Sequence, residues 1–247
     1  MADIGPLDEE TPLGHLTVAH RGTIDKGSLP DNSLPALRAS IAAGVEFLEV
    51  DVRRASDGTL FLFHDGSFAR SNSDASAHLR GIPVSNVSSA DRAAVTLETS
   101  GSATVPTLAD ALSIIEQSQG TLQLDLKGES DALTFAVLEL VSTRGLLHRV
   151  LLQLRSPERA AFVLKNYPTA RVLVRCTSFE QLQQTLQYRV EAVELERWIT
   201  SKAVRLAHAR GVLVAINVAG SRLDEPSTWD YLRSRGVDMI MTDRANE

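Results

Sequence analysis

Apolar runs of four to eight residues alternate with amphipathic stretches of helical length along most of this chain. That rhythm admits few architectures, because strands separated by helices return in the same direction and pair in parallel. The candidate strands are Leu16–Ala19, Val45–Val52, Leu60–Phe63, Leu122–Leu126, Val150–Leu154, Arg171–Val174, Ala192–Leu195, Val212–Asn217 and Asp238–Met241. Several of the intervening helices announce their starts. Ser33 with Pro35 opens one that closes at Gly44, Thr107 with Asp110 fits a capping box, and Ser156-Pro157 puts proline at the first helical position.

Nine strands are one too many for an eight-stranded parallel barrel, and spacing identifies the extra one. Only a short loop containing Asp57-Gly58 separates Val45–Val52 from Leu60–Phe63, so those two form an antiparallel hairpin. Eight parallel strands remain, which predicts a (β/α)8 TIM barrel with an extra hairpin strand at its carboxyl-terminal face, one domain over 1–247. The serine- and alanine-rich stretch 65–106 is too long for a plain connection and reads as a surface excursion over the barrel mouth.

Composition excludes several functions. The net charge is -6 and no basic run occurs, so nothing recruits nucleic acid. No apolar run has the length of a membrane span. Met1 to Leu16 carries acids and prolines rather than a basic start and an apolar stretch, so no signal peptide is expected. Cys176 is the only cysteine, which rules out an intrachain disulfide and points to a reducing compartment, the cytoplasm. It ends the apolar run Val172–Val174 and reads as a small core hydrophobe rather than a nucleophile.

The polar residues inside the strands carry the chemistry. A turn centred between Ser56 and Asp57 sets Glu49 opposite His64, with Asp51 on the same face and Leu48, Val50, Val52, Phe61 and Phe63 on the other. At other strand ends stand His20 and Arg21, Asp125 and Lys127, Glu194 and Glu196, Asn217, and Asp243. Such barrels place their active site at this carboxyl-terminal face. Glu49 and Asp51 alone could form a solvated strand face, but Val45, Phe47, Leu48, Val50 and Val52 surround them, and unpaired buried carboxylates are costly. A divalent cation held by Glu49, Asp51 and Asp125 answers that cost, and three carboxylates without cysteine suit Mg²⁺ or Ca²⁺ better than zinc. His20 and His64 then form an acid/base pair beside the metal, and Arg21 offers a planar fork for phosphate oxygens. His15, His78, His148 and His208 have no charged constellation around them and read as surface or filler. Metal, arginine, lysine and two histidines together fit phosphoryl transfer.

The order and spacing of His20-Arg21-Gly22, Pro30-Asp31-Asn32-Ser33, Glu49-Val50-Asp51-Val52, Asp57-Gly58 and His64-Asp65 resemble the glycerophosphodiester phosphodiesterase family. The likeness continues through Phe68, Arg70, Pro106-Thr107-Leu108, Asp125-Leu126-Lys127, Tyr167-Pro168, Asn217, Gly236-Val237-Asp238 and Thr242-Asp243-Arg244. The resemblance implies a (β/α)8 barrel, a bound Mg²⁺ or Ca²⁺, and two essential histidines. It makes Glu49, Asp51 and Asp125 the metal ligands and His20 and His64 the acid/base residues. Arg21 and Lys127 would hold the phosphate, and Asn32 would support the first loop from behind. The chain departs from the family pattern at Asp31 and Ser33, where glutamate and threonine are usual. It departs again at Asp125, usually glutamate, and at Val214, usually tryptophan, three residues before Asn217. The loss of a ring at Val214 is expected to open the substrate wall.

The resemblance implies metal-dependent hydrolysis of a small-molecule glycerophosphodiester-like substrate to an alcohol and a phosphomonoester, through a cyclic phosphate. A sugar phosphodiester of the agrocinopine type, a lyase that stops at the cyclic phosphate, and a non-catalytic sensor are the competing readings. The residues do not indicate the oligomeric state.

Overall fold

The computed structural model of the protein describes residues 15–68, 78–79, 81–98, 102–128, 130–196 and 198–247. The amino-terminal stretch through residue 14, Arg70 and part of the 65–106 segment therefore lie outside the described residues.

Eight parallel strands close into a ring: β1 (Leu16–Ala19), β2 (Phe47–Arg54), β6 (Thr121–Leu126), β7 (Val150–Leu154), β8 (Arg171–Cys176), β9 (Ala192–Leu195), β10 (Leu213–Asn217) and β11 (Met239–Thr242). Closure is made by β1, which pairs with β11 on one side and β2 on the other. The helices α1 (Leu34–Ala42), α3 (Leu108–Glu116), α4 (Asp131–Thr143), α5 (Pro157–Asn166), α6 (Phe179–Thr185), α7 (Ser201–His208) and α8 (Pro226–Ser234) make the crossovers. The starting signals hold. Ser33 caps α1 through Ala36, the Thr107–Asp110 capping box is complete, and Ser156 caps α5 with Pro157 at its first position.

Strand alternation sorts the side chains into two cores. Val18, Phe47, Leu151, Leu173, Ala192, Ala215, Met239 and Met241 fill the barrel interior. Their neighbours, among them Leu48, Val50, Leu122, Leu124, Leu152, Val172 and Val193, pack outward against the helices. The interior-facing positions nearer the mouth are polar instead, and these build the site described below.

The second strand starts two residues later than expected. Gly44 ends α1 with φ 85°, and Val45 donates back to Ser40 O at 3.0 Å, so Val45 belongs to the helix cap. The hairpin is present, with β3 (Leu60–Leu62) antiparallel to the mouth end of β2, but its register differs by one residue from expectation. Val52 faces Leu62 and Arg53 faces Phe61, so Glu49 is not opposite His64. The cause is the turn. Ala55 N donates to Thr59 O, leaving a three-residue loop Ser56-Asp57-Gly58 in which Gly58 takes the left-handed conformation, φ 90°. Leu60 and Leu62 consequently join the helix-side core with Val50 and Val52, and Phe61 and Phe63 do not.

Phe61 instead packs with Ala55, Phe68, Leu79, Val84, Val87, Val95 and Val105 in a separate cluster beneath the 65–106 segment, and Phe63 lies against it. That segment carries α2 (Ser89–Ala93) and a two-stranded ribbon, β4 (Thr96–Glu98) with β5 (Ser102–Thr104).

Two histidines read as lacking charged partners have them. His78 lies 3.9 Å from Asp91. His208, at the end of α7, donates from Nε2 to Asp238 Oδ2 at 2.9 Å, and the same oxygen accepts from Val214 N at 2.7 Å. Asp238 is buried, so it ties α7, β10 and β11 together at the amino-terminal rim. Asp238→Ala should strand a buried amide and lower stability by about 1–3 kcal/mol in denaturant unfolding. His208→Ala should cost less and leave ligand binding at the mouth unchanged.

Candidate active site

The first loop sets the geometry. After β1 the chain turns through Arg21 and Gly22, both left-handed at φ 53° and 73°. An arginine there is strained, while glycine is required next to it, since a Cβ on Gly22 would meet Leu37 Cδ2 at 2.6 Å. The strained turn aims the Arg21 amide at Glu49 Oε2, 2.9 Å away, and offers the Arg21 carbonyl to Asn32 N at 2.8 Å. Asn32, also left-handed at φ 57°, then clamps Asp51 twice. Its Nδ2 donates to Asp51 Oδ2 at 2.8 Å, and its Oδ1 accepts from Asp51 N at 2.9 Å.

Glu49, Asp51 and Asp125 converge inside the barrel mouth. They are 3%, 1% and 6% exposed, and one oxygen from each lies within 4.8 Å of one from each of the others. Asp51 and Asp125 are neighbours in register on β2 and β6. Lys127 Nζ sits between them, 2.8 Å from Asp51 Oδ1 and 2.5 Å from Asp125 Oδ2. Arg155 Nη2 lies 3.2 and 3.3 Å from the two Asp125 oxygens. Burial, followed by the charges of Asp51 and Asp125, pushes the Glu49 carboxyl well above the usual carboxylate range. Burial also opposes ionisation of Asp51, but Lys127 and the Asn32 amide outweigh it and hold Asp51 below the usual range. Burial works against the Lys127 ammonium, and its two acids raise it nonetheless.

These residues fit a divalent cation. Lys127, Arg155 and Arg21 answer Asp51 and Asp125, while burial and the two neighbouring acids still oppose ionisation of Glu49, and a divalent cation among the three would relieve that repulsion. The oxygens are close enough for one ion with bonds of about 2.0–2.6 Å to span them, and the all-oxygen donor set suits a hard ion.

Each expected acid/base histidine has a carboxylate at its back. His20 Nδ1 donates to Asp243 Oδ1 at 2.7 Å, which leaves Nε2 as the lone-pair nitrogen of the neutral ring. Asp243 also accepts from Lys26 Nζ and from Gly220 N, each at 2.9 Å. Burial opposes the Asp243 charge, but His20 and Lys26 prevail and hold its carboxyl far below the usual range. His64 Nδ1 donates to Asp65 Oδ1 at 2.8 Å. His64 lies beyond the last residue of β3, where the Arg53 guanidinium holds the Phe63 and His64 carbonyls at 3.1 and 2.5 Å. It stands close enough to Asp51 to act on its charge. The loop beyond the ladder therefore brings His64 to the cluster, and the register predicted from the sequence does not.

Other expected residues are placed as follows. The Arg21 fork is engaged with Asp31 at 2.9 Å and stands 3.7 Å from Asp51. Asn217 ends β10 exposed, its Oδ1 accepting from Ala219 N at 3.0 Å. Val214 corrects the expectation of a widened substrate wall. It points outward, fully buried in the core between barrel and helices, because Asn217 and Ala215 take the inward positions of that strand. Cys176 is buried, and desolvation raises its thiol to about 11, in keeping with a core role.

Sequence reasoning placed Asp243 and Glu194 at strand ends on the catalytic face and Asp65 beside His64 without giving any of them a role, and it singled out neither Arg155 nor Arg175. Glu194 is 2% exposed on β9 and is pushed by burial to about 7, with Arg175 Nε 3.2 Å away. Its signal was an acid inside an apolar strand, the same one that singled out Glu49.

A sequence model described as the glycerophosphoryl diester phosphodiesterase family matches residues 20–247. A glycerophosphodiester phosphodiesterase of Arabidopsis thaliana is 32% identical over 112 residues, which cover 45% of this chain and 34% of that protein. The match thus spans about a third of the relative's length. Among solved structures, a glycerophosphoryl diester phosphodiesterase from Parabacteroides distasonis superposes with TM-score 0.79 at 21% identity, covering 96% of this chain and 86% of that one. A phosphodiesterase from Oleispira antarctica, solved with the product sn-glycerol-3-phosphate, gives 0.77 at 19% identity and 94% of each chain. These structural likenesses carry the fold.

The three-acid cluster makes a direct prediction. Mg²⁺ or Ca²⁺ should raise the melting temperature, a chelator should reverse the rise, and Asp125→Asn should abolish it. A shift that survives in Asp125→Asn would remove the ion from this site.

Proposed function

The chain belongs to the glycerophosphoryl diester phosphodiesterase family, and from that premise we propose that it is a phosphoric diester hydrolase that cleaves glycerophosphodiester-like substrates to an alcohol and a phosphomonoester. One observation carries the reading. Two histidines, each backed by a carboxylate, are gathered with three buried acids at one barrel mouth.

In this reading Glu49, Asp51 and Asp125 would hold a divalent cation, Mg²⁺ or Ca²⁺, which would supply positive charge against the phosphate. Arg21 and Lys127 bind the phosphate. Each now rests against acids of the site, so each is poised to exchange a carboxylate partner for a phosphate oxygen. Asn32 fixes Asp51. Asn217 stands exposed at the end of β10, on the same face of the strand as Ala215. Asp243 and Asp65 orient their histidines and stabilise each ring when it is protonated.

The reaction runs in two steps. A substrate hydroxyl next to the ester attacks phosphorus, one histidine takes its proton, and the other protonates the departing alcohol. Water then opens the cyclic phosphate with the histidine roles exchanged, giving the phosphomonoester. An intramolecular nucleophile is favoured because its positional entropy is already lost. The Oleispira phosphodiesterase carries sn-glycerol-3-phosphate as product, which supports a phosphomonoester of this kind here. With Val214 turned outward, its departure from the family pattern no longer argues for a bulkier sugar substrate. The barrel 1–247 acts as one unit in this reading, with the 65–106 segment shaping access to its mouth. The single buried cysteine suits the cytoplasm, and no helix among the described residues is long and apolar enough to cross a membrane.

His20→Ala and His64→Ala should each lose at least about two orders of magnitude in turnover while remaining folded. Chelation should abolish turnover, and Mg²⁺ or Ca²⁺ should restore it. Phosphorus NMR under single-turnover conditions should show a transient cyclic phosphate, and the deoxy analogue should bind without reacting. Accumulation of the cyclic product would make the protein a lyase, whereas rapid hydrolysis of the deoxy analogue would mean direct attack by water.

A further inference from the structure

Glu194 is a buried acid that the chemistry above does not use. It lies on β9 in register between Arg175 of β8 and Ala215 of β10. Ala192, two residues earlier, faces the barrel interior, so Glu194 does too. The charge of Asp125 acts on it, which puts it within electrostatic reach of the three-acid cluster. Its ion-pair partner is Arg175, whose Nε is 3.2 Å from Glu194 and 2.8 Å from Glu196 yet makes no well-formed hydrogen bond despite being buried. Among the described residues nothing donates a hydrogen bond to Glu194. A carboxylate buried this way is poor architecture, since an apolar side chain would pack at lower cost. It becomes reasonable when a ligand supplies the missing donor.

The surroundings select the kind of donor. Arg175 faces Glu194 directly and Arg155, just past β7, acts on it too, so the position presents a hydrogen-bond acceptor already flanked by two guanidinium groups. That suits a neutral hydroxyl better than a cationic group. Ala215 beside it in register has a small side chain, so no bulky neighbour on β10 covers the carboxylate. We propose that Glu194, held by Arg175, is a specificity residue that accepts a hydrogen bond from a hydroxyl of the polyol remaining on phosphorus. The assignment rests on the phosphodiesterase reading and adds to it the residue that distinguishes a polyol phosphate from a plain alkyl phosphate.

Calorimetric binding of sn-glycerol 3-phosphate and of n-propyl phosphate, each with Mg²⁺ or Ca²⁺ present, tests it. The wild type should prefer the glycerol compound by about tenfold or more, the scale for a hydrogen bond to a charged group. Glu194→Leu should bring that ratio to about one, and the near-isosteric Glu194→Gln should reduce it severalfold and keeps the measurement available if the leucine variant does not fold. Arg175→Lys should reduce the ratio less. A wild-type ratio near one, or a ratio unchanged in both Glu194 variants, overturns the assignment. If the wild type also turns over a glycerophosphodiester, those results overturn Glu194 alone. A wild type that binds neither phosphate and cleaves no glycerophosphodiester overturns the phosphodiesterase reading and this assignment with it.

Discussion

Three carboxylates share one buried space, and much of the mouth is arranged around their repulsion. Lys127 bridges Asp51 and Asp125, Arg155 just past β7 also reaches Asp125, and the Arg21 amide and the Asn32 side chain hold Glu49 and Asp51 in place. Each contact makes a cation site tolerable before a cation arrives. The strain at Arg21 belongs to the same account. A left-handed arginine costs about 1–3 kcal/mol, and what it secures is an amide aimed at Glu49 and a carbonyl aimed at Asn32.

The arrangement depends equally on what fills the barrel below. Phe47, Leu151, Leu173, Met239 and Met241 occupy the interior layers, so the polar side chains above them are held at the rim. A water-filled interior would screen the acids and relax the demand for a counter-charge. The apolar floor therefore sharpens the electrostatics of the roof, which is how a packing choice at one end of the strands sets the chemistry at the other.

The eight parallel strands were legible because each is a short apolar run flanked by capping signals, and Thr107, Ser156 and Ser33 all cap as their sequence neighbours indicate. The three acids were legible because they interrupt those runs. What could not be read was geometry that a single backbone choice decides. Gly58 in the left-handed region lengthens the turn by one residue and shifts the whole hairpin register. The β4–β5 ribbon escaped notice because Thr96–Glu98 and Ser102–Thr104 are too short to show an alternating pattern. Asp243 was visible as a strand-end residue, but its pairing with His20 joins positions 223 residues apart, which only closure of the ring brings together. Val214 was different. Its odd separation from Asn217 already assigned it to the opposite face, and alternation along the strand was enough to exclude it from the mouth.

The seat of His20 is completed last. Its partner Asp243 comes directly after the last strand, and that strand is the one that closes the ring against β1. During synthesis the first half of the site is made early and waits, its imidazole unheld, until the final strand has left the ribosome and docked. Completion of the fold and arming of the histidine are then a single event. A chain clipped before residue 243 would lack the carboxylate that holds the His20 ring, so the loss of a few residues at that end would undo the seat of a side chain near the other.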